Sequence, residues 1–309
     1  MNTKLISFII PCYDESESLE LLYQGIVANV GYEYEIIIID NGSTDGSREI
    51  IRKLHEQDEK VKLIAFRRNF GKAAAQAAGF RMATGNIVIT MDGDLQDDPV
   101  EIPNFIAKIE EGYDVVSGWK YHRHDPLEKR LPSKLFNKVV AKLSGVKLHD
   151  FNCGYKAYRV EVVKSINVYG ELHRYIPVLA DRKGFRIAEI KVTHHARQFG
   201  KSKYGWERYL RGLFDSISIA YLSKYYDKPM HFFGRLGLIS GFIGFVIGAG
   251  LTIDWFRGNP IGGRPLLMLA VLLILVGLQF ISMGIIGEII VDRNYKANYD
   301  EAHVEERLG

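Results

Sequence analysis

Two apolar stretches near the C-terminal end constrain this chain more than any other feature. Leu236 to Phe256 and Leu266 to Gly287 are each about 20 residues long, enough to cross the hydrocarbon core of a bilayer as a helix. The connection "RGNPIGGRP" is short and rich in turn residues, so the pair is expected to form an antiparallel hairpin that returns the chain to its starting side. Lys224, Lys228 and Arg235 precede the hairpin and Arg293 and Lys296 follow it, which favours cytoplasmic flanks; Arg257 and Arg264 in the loop weaken that signal. Two adjacent core helices would be the alternative, and a soluble domain rarely needs such a pair. Asp254 and Glu288 fall near the span ends, where water still reaches them, so neither reads as an intramembrane functional charge.

Ahead of the hairpin, "GWERYLRGLFDSISIAYLSKYYDKP" spaces Trp206, Leu210, Leu213, Ile217, Tyr221 and Tyr225 by three and four residues, with charges largely on other faces. That pattern fits an amphipathic helix lying in a membrane interface, or one packed on a soluble domain. The expected organisation is a cytoplasmic domain over 1–204, an interfacial helix and linker over 205–230, a transmembrane hairpin over 231–291 and a polar cytoplasmic tail over 292–309. The N-terminal apolar run, "LISFII", is too short for a signal peptide and leads directly into acids.

Up to about residue 195, short β-rich runs alternate with helical patterns, the signature of an α/β domain with a mostly parallel central sheet. Strands are expected near Leu5 to Ile10, Glu35 to Asp40, Val61 to Phe66, Asn86 to Met91 and Asp114 to Ser117, with helices near Ser18 to Val30, Gly46 to Gln57, Lys72 to Ala83 and Val100 to Glu111. Ser43 to Asp45 supply N-cap chemistry for the second helix. A net charge of +3 over 309 residues gives no global basic field for nucleic acid. The only cysteines, Cys12 and Cys153, have no metal-ligand spacing and fit a reducing compartment.

Chemistry concentrates where strands end. In an open parallel sheet, ligands bind at the carboxyl ends of the strands, and there "IIPCYDE", "IIDNGSTD" and "TMDGDLQD" place Asp40 and Asp92 facing one crevice. Gathered carboxylates repel one another unless a cation or a donor-rich ligand lies between them. Asp92-Gly93-Asp94 offers oxygen ligands suited to a hard cation such as Mg²⁺. No G-x-G-x-x-G follows the first strand, and neither a P-loop nor a G-x-S-x-G elbow occurs. His194 and His195 are adjacent in a strand-like segment and should point to opposite faces, so they do not read as a metal pair.

"SFIIPCYDESESL", "EIIIIDNGSTDGS", "NFGKAAAQAAGF" and "TMDGDLQDDP" resemble the ordered motifs of the inverting family 2 glycosyltransferases. "DFNCGYKAYR" and "RQFGKSKYGW", followed by two spans, resemble more narrowly the polyprenyl-phosphate branch of that family. The resemblance implies a GT-A type nucleotide-sugar-binding domain. It assigns Pro11, Tyr13, Glu15, Asp40 and Asn41 to nucleoside binding, with Asp40 accepting hydrogen bonds from the base. It assigns Asp92, Asp94 and Gln96 to the donor diphosphate and as ligands of Mg²⁺ or Mn²⁺, and Lys72 and Gly93 are further expected nucleotide-sugar-binding residues. Arg197 and Lys203 match basic groups that reach the donor diphosphate or lipid phosphate, and Arg130, Lys201 and Lys203 are the expected acceptor-phosphate contacts. Asp150, heading "DFNCGYK", matches an acid near the acceptor, and Asp150, Asp94 and Arg197 are the expected catalytic group. Relatives commonly carry a second Asp where this chain has Asn41, which leaves the details of base recognition open.

The implied reaction is in-line displacement at the anomeric carbon with inversion, the donor being a nucleotide sugar and the acceptor polyprenyl phosphate in the bilayer. A metal and Arg or Lys neutralise the leaving diphosphate, and Asp150 orients the acceptor or takes its remaining proton. UDP-glucose is the first donor expected, ahead of UDP-N-acetylhexosamine, GDP-mannose or a UDP-arabinose derivative. Gly200 and Ser202 mark a loop expected to close over the donor. Gly241, Gly244, Gly248 and Gly250 are expected to pack against a second copy of the chain, and a flippase is an expected downstream partner of the product. The readings set against this one are a polysaccharide synthase, which would need more spans, and a catalytically silent membrane anchor.

Overall fold

The computed structural model describes residues 4–121, 137–138, 140–142, 144–170, 172–195, 225 and 228–297. The chain divides into two compact units, one holding the strands and the other the two long C-terminal helices. In the first, β1 (Leu5–Cys12) pairs in parallel with β2 (Glu33–Asp40) and with β4 (Ile87–Thr90), and β2 pairs in parallel with β3 (Val61–Ala65). Strand β6 (Lys156–Arg159) inserts antiparallel between β4 and β5 (Val115–Lys120), and β7 (Ile187–Val192) lies parallel to β5 at the edge. The order is β3-β2-β1-β4-β6-β5-β7.

The five expected strands are present; β6 and β7 are additional. Strand β6 has only four residues, and β7 is a half-exposed edge strand carrying Glu189 and Lys191, so neither presents a continuous apolar run. Helices α1 (Leu19–Asn29), α2 (Ser47–Gln57), α3 (Lys72–Met82) and α4 (Ile102–Glu110) lie within two residues of their expected bounds. Short helices α5 (Val160–Ser165) and α6 (Ile176–Arg182) follow β6. The cap of α2 differs from expectation: Gly46, at φ 93°, is the N-cap residue, and Asp45 contributes from outside by accepting the Ser47 amide at 3.0 Å. A left-handed cap is open to glycine at little steric cost.

The sheet has a core on each face because successive residues of its central strands point opposite ways. Phe8, Ile10, Ile36 and Ile38 pack with Leu22, Ile26, Ile51 and Phe105 of α1, α2 and α4. Ile9, Ile37, Ile39 and Val88 pack with Ala73, Phe80, Val162 and Ile176 of α3, α5 and α6. Each fully buried Ile or Phe contributes about 1.5–3 kcal/mol.

In the second unit, α7 (Pro229–Phe256) and α8 (Pro265–Ala297) are long and apolar enough to cross a membrane, with mean hydropathies of 2.1 and 2.6 over an 18-residue stretch of each. Helix α7 begins at Pro229, earlier than the expected Leu236, and Glu288 accepts its Met230 amide at 3.2 Å. Asp254 closes the turn with Arg264 at 3.1 Å, so both acids have structural partners. Leu238, Phe242, Phe245 and Met268 stand exposed, as suits helices solvated by lipid rather than by a protein core. Glycine brings the two helices together: a Cβ on Gly277 would stand 2.7 Å from the Gly237 oxygen and 2.9 Å from the Gly241 nitrogen. Gly244 likewise faces the Ala270 oxygen. Of the four glycines expected at a contact between copies, Gly244 is engaged within the hairpin and Gly241 lends its backbone to the Gly277 contact, while a Cβ on Gly241, Gly248 or Gly250 would meet open space.

Far from the strand C-termini, Glu35 of β2 is buried and accepts from Ser7 Oγ (2.5 Å), the Thr84 amide (2.7 Å) and Lys62 Nζ (2.6 Å). Burial works to raise its pKa, but Lys62, Ser7 and Thr84 outweigh burial and bring it to about 2 from the ordinary 4.5. A depressed carboxylate pKa stabilises the fold fully above the unfolded value and ceases to do so as pH falls through the folded one. Glu35→Ala is therefore expected to lose about 3 kcal/mol of stability at pH 7. Urea denaturation should show part of that deficit, the part due to ionisation, shrinking as pH falls from 4.5 to 2.

Candidate active site

The parallel strands end on one side of the sheet, and the loops leaving them carry the acids marked by the sequence. Pro11 is the penultimate residue of β1, and Tyr13, Asp14 and Glu15 follow it. Asp14 takes φ 51°, a left-handed conformation uncommon outside glycine. It is held there by the segment after β2: the Asp14 amide donates to Ser43 Oγ (2.9 Å) and the Thr44 amide to Asp14 Oδ1 (2.8 Å). The Glu15 amide donates to Ser47 Oγ (3.0 Å) and the Ser16 amide to Asp45 Oδ2 (2.9 Å).

Asp40 ends β2, but its carboxylate is wholly buried and engaged by the Ser43 amide (2.8 Å) and Arg48 Nε (2.7 Å). A base bonding to this carboxylate, as the resemblance implies, competes with Arg48. Asn41 uses both ends of its amide on the loop after β3: Oδ1 accepts from the Phe70 amide (2.9 Å) and Nδ2 donates to Asn69 Oδ1 (3.0 Å). An Asp here would keep the first bond and lose the second, which accounts physically for Asn at this position.

That loop delivers Lys72 to the start of α3, where its ammonium forms an ion pair with Asp92 beyond the end of β4. Burial disfavours both charges, but Lys72 and Lys120 together hold Asp92 at about 2, and Asp92 raises the Lys72 pKa. Burial pushes the neighbouring Asp97 up to about 6. Gly154 allows the Lys72–Asp92 pair to form: a Cβ there would stand 2.8 Å from Asp92 Oδ2 and 2.9 Å from Lys72 Nζ.

The acidic loop is bent and pinned. Ser18 Oγ donates to the Gly93 oxygen at 2.5 Å, the Gln96 amide donates to Asp94 Oδ1 at 3.2 Å, and Leu95 between them takes φ 59°. A non-glycine residue in that region stores strain of order 1–3 kcal/mol and persists where its surroundings determine it. Here the determinant is the segment after β7: His194 bridges to Asp97, the His195 amide donates to the Gln96 oxygen (2.9 Å), and Gln96 Nε2 donates to the His195 oxygen (3.2 Å). His195 Nε2 lies 2.8 Å from Asp98 Oδ2. The two histidines brace the loop.

Asp150 is buried, its Oδ1 accepting the Asn152 amide at 3.0 Å. Lys120, which the sequence reading missed, ends β5 among these acids. Burial would lower its pKa, but Cys153, Asp97, Asp150 and Asp92 together raise it. Its signal was present: it closes a strand just as Asp40 does. Burial pushes the Cys153 thiol up to about 12, which leaves it inert as a nucleophile. Arg130, Arg197, Lys201, Lys203 and the Gly200–Ser202 loop lie outside the described residues, as does the interfacial helix over 205–224.

No group of three or more His, Cys, Asp or Glu side chains among the described residues is gathered for a metal. The carboxylate and amide oxygens of Asp92, Asp94 and Gln96 are of the chemical type that a hard divalent cation takes. Asp92 would share its charge between such an ion and Lys72.

Residues 7–166 match the model of the family described as Glycosyl transferase family 2. The dodecaprenyl-phosphate galacturonate synthase of Rhizobium johnstonii is 38% identical over 300 residues, covering 94% of this chain and 89% of the relative. The undecaprenyl-phosphate 4-deoxy-4-formamido-L-arabinose transferase of Shewanella sediminis is 38% identical over 297 residues, covering 94% and 88%. Among solved structures, glucosyl-3-phosphoglycerate synthase from Mycobacterium tuberculosis with Mn²⁺, UDP and glucosyl-3-phosphoglycerate superposes with a TM-score of 0.55 at 19% identity. The match covers 71% of this chain and 80% of that one, and the same protein has been crystallised with Mg²⁺ and UDP. The sheet order and crevice are those of a GT-A fold, and with motifs matched from β1 to α5 and relatives aligned over nearly its whole length, the chain belongs to glycosyl transferase family 2.

Proposed function

We propose that this protein transfers a sugar from a nucleotide-sugar donor to a polyprenyl phosphate at the cytoplasmic face of a membrane, with inversion at the anomeric carbon. The observation that carries the reading is the gathering of Asp92, Asp97, Asp150, Lys72 and Lys120 at one sheet edge of a chain that also holds two membrane-length helices. The relatives' names supply the acceptor class. UDP-glucose is the first donor to test, and the relatives' names add galacturonate and 4-deoxy-4-formamido-L-arabinose donors.

The nucleoside would lie across the Pro11–Glu15 and Asp40–Asn41 loops, whose latching fixes the donor before the acceptor arrives. Asp94 and Gln96, with Asp92, would hold Mg²⁺ or Mn²⁺, which when bound neutralises the leaving diphosphate. Lys72 and Asp92 together present a donor and an acceptor to sugar hydroxyls. Lys120 offsets the negative charge of an incoming phosphate monoester, and Asp150 orients that phosphate or takes its last proton. Residues 193–195 run alongside the acidic loop, and Arg197 and Lys203 are assigned to the diphosphate by the resemblance alone.

Purified protein is expected to release UDP from one donor of a panel only when undecaprenyl phosphate and Mg²⁺ or Mn²⁺ are both present. Tight nucleotide binding with no release from any donor would replace the transferase by a silent anchor. Asp94→Asn should lower turnover by 100-fold or more and raise the metal concentration needed for half-maximal rate. Gly154→Ala should separate Lys72 from Asp92 and lower kcat/KM for the donor by at least tenfold, while circular dichroism shows the fold retained; an unchanged kcat/KM would remove the pair from donor binding.

A further inference from the structure

A row of four polar side chains crosses the sheet beneath Asp150. Strand registers set Thr90 opposite Lys156, Lys156 opposite Ser117, and Ser117 opposite Glu189, so the four project from β4, β6, β5 and β7 on one face. In the next row on that face the same strands carry Val88, Tyr158, Val115 and Ile187, the ordinary composition of a core. Thr90, Lys156 and Ser117 are buried, and the Glu189 side chain is 11% exposed. Polar groups in such a place are costly unless bonded.

Three of the four, Glu189, Lys156 and Thr90, bond to one loop, and Thr90 Oγ1 also lies 3.4 Å from the Lys156 oxygen. Glu189 Oε1 accepts the amides of His149 (2.9 Å) and Asp150 (3.1 Å), and its Oε2 lies 2.6 Å from His149 Nδ1. The His149 ring stacks on Trp119 of β5, with centroids 4.0 Å apart and planes 12° apart. Lys156 Nζ donates to the Cys153 oxygen and, at 3.4 Å, to the Phe151 oxygen. Thr90 Oγ1 donates to the Gly154 oxygen at 2.7 Å. An anion therefore holds N–H groups at one end of the loop, and a cation with a hydroxyl holds carbonyls at the other. Hydrogen bonds of an ionised partner are about twice as strong as neutral ones. Ser117 Oγ, between the two charges, has no hydrogen-bond partner among the described residues.

We propose that Glu189 and Lys156 are positioning residues for Asp150: from opposite sides of β5 they fix the backbone of 149–154 and so set the Asp150 carboxylate toward the acceptor phosphate. The proposal rests on the acceptor-side role given to Asp150 above. Neither residue touches substrate; both act through the loop.

The test compares wild type, Glu189→Ala, Glu189→Gln, Lys156→Met and Asp150→Asn in metal-dependent UDP release, with UDP affinity measured by calorimetry. Gln keeps a side-chain oxygen able to accept both amides; Ala does not. Glu189→Ala and Lys156→Met are expected to lower kcat by 30-fold or more with UDP affinity within twofold of wild type, and Glu189→Gln to recover to within fivefold. Retention of kcat within threefold in Glu189→Ala, or equal losses in Ala and Gln, would overturn the clamp while leaving the transferase intact. Parallel loss of UDP affinity would show a general unfolding of the crevice and overturn it too. An Asp150→Asn protein with wild-type turnover would remove the role the clamp serves, and a wild-type protein inactive on every donor would overturn the transferase reading itself.

Discussion

The burial of acids at the ends of parallel strands governs this molecule. Parallel pairing brings the C-terminal ends of β1, β2, β3 and β4 to one edge, and the loops there carry the buried Asp40, Asp94 and Asp97 and the half-buried Asp92. A lone charge in such a place is too costly to keep, so each must be bonded or neutralised. Arg48 answers Asp40, Lys72 answers Asp92, and Lys120 raises the positive charge around Asp92, Asp97 and Asp150. These partners dictate the local sequence in turn. Lys72 must open α3, Gly154 must lack a side chain, and the antiparallel β6 must enter beside β4 to bring Gly154 there.

The same constraint explains why the crevice loops are tied to one another rather than to solvent. The loop after β1 borrows hydroxyls and a carboxylate from the loop after β2, and the loop after β4 is zipped to the segment after β7. Asp14 and Leu95, the non-glycine residues with positive φ among the described residues, sit in these two loops. Strain of that kind survives because several bonds fix each position at once, and it aims carboxylates where an ordinary turn would not. Under the proposed function, loops pinned in this way would favour reaction through prior orientation of the donor.

How much of this was legible in the sequence depended on the range of the interactions involved. Strands β1 to β5 and helices α1 to α4 announce themselves by continuous apolar runs and helical periods, because each is covered on a predictable face. Strands β6 and β7 do not, since their place rests on pairing with β4 and β5 from far along the chain. The acids at strand ends were visible because strand ends are local; their partners were not. That Asp40 is held by Arg48, or that Glu189 reaches back to residues 149 and 150, depends on register across the sheet, and a sequence read in one dimension does not carry register. The hairpin was legible as a whole, whereas the division of its glycines into those inside the contact and those outside it waited for the helices' relative rotation.

For a polyprenyl-phosphate acceptor, the arrangement answers a specific electrostatic difficulty. Both substrates are anions, and two unit charges 4 Å apart repel by about 4 kcal/mol at the effective dielectric of a protein surface. A strong base would help little, because a phosphate monoester is already nucleophilic at neutral pH. What the reaction requires is positive charge close to both anions and a fixed line of approach. Lys72 and Lys120 supply charge from two different strand ends, and the loop of Asp150 is fastened from both sides of β5. Under the proposed function, Asp150 would set the direction of the acceptor among the cations, with proton transfer a smaller part of its work.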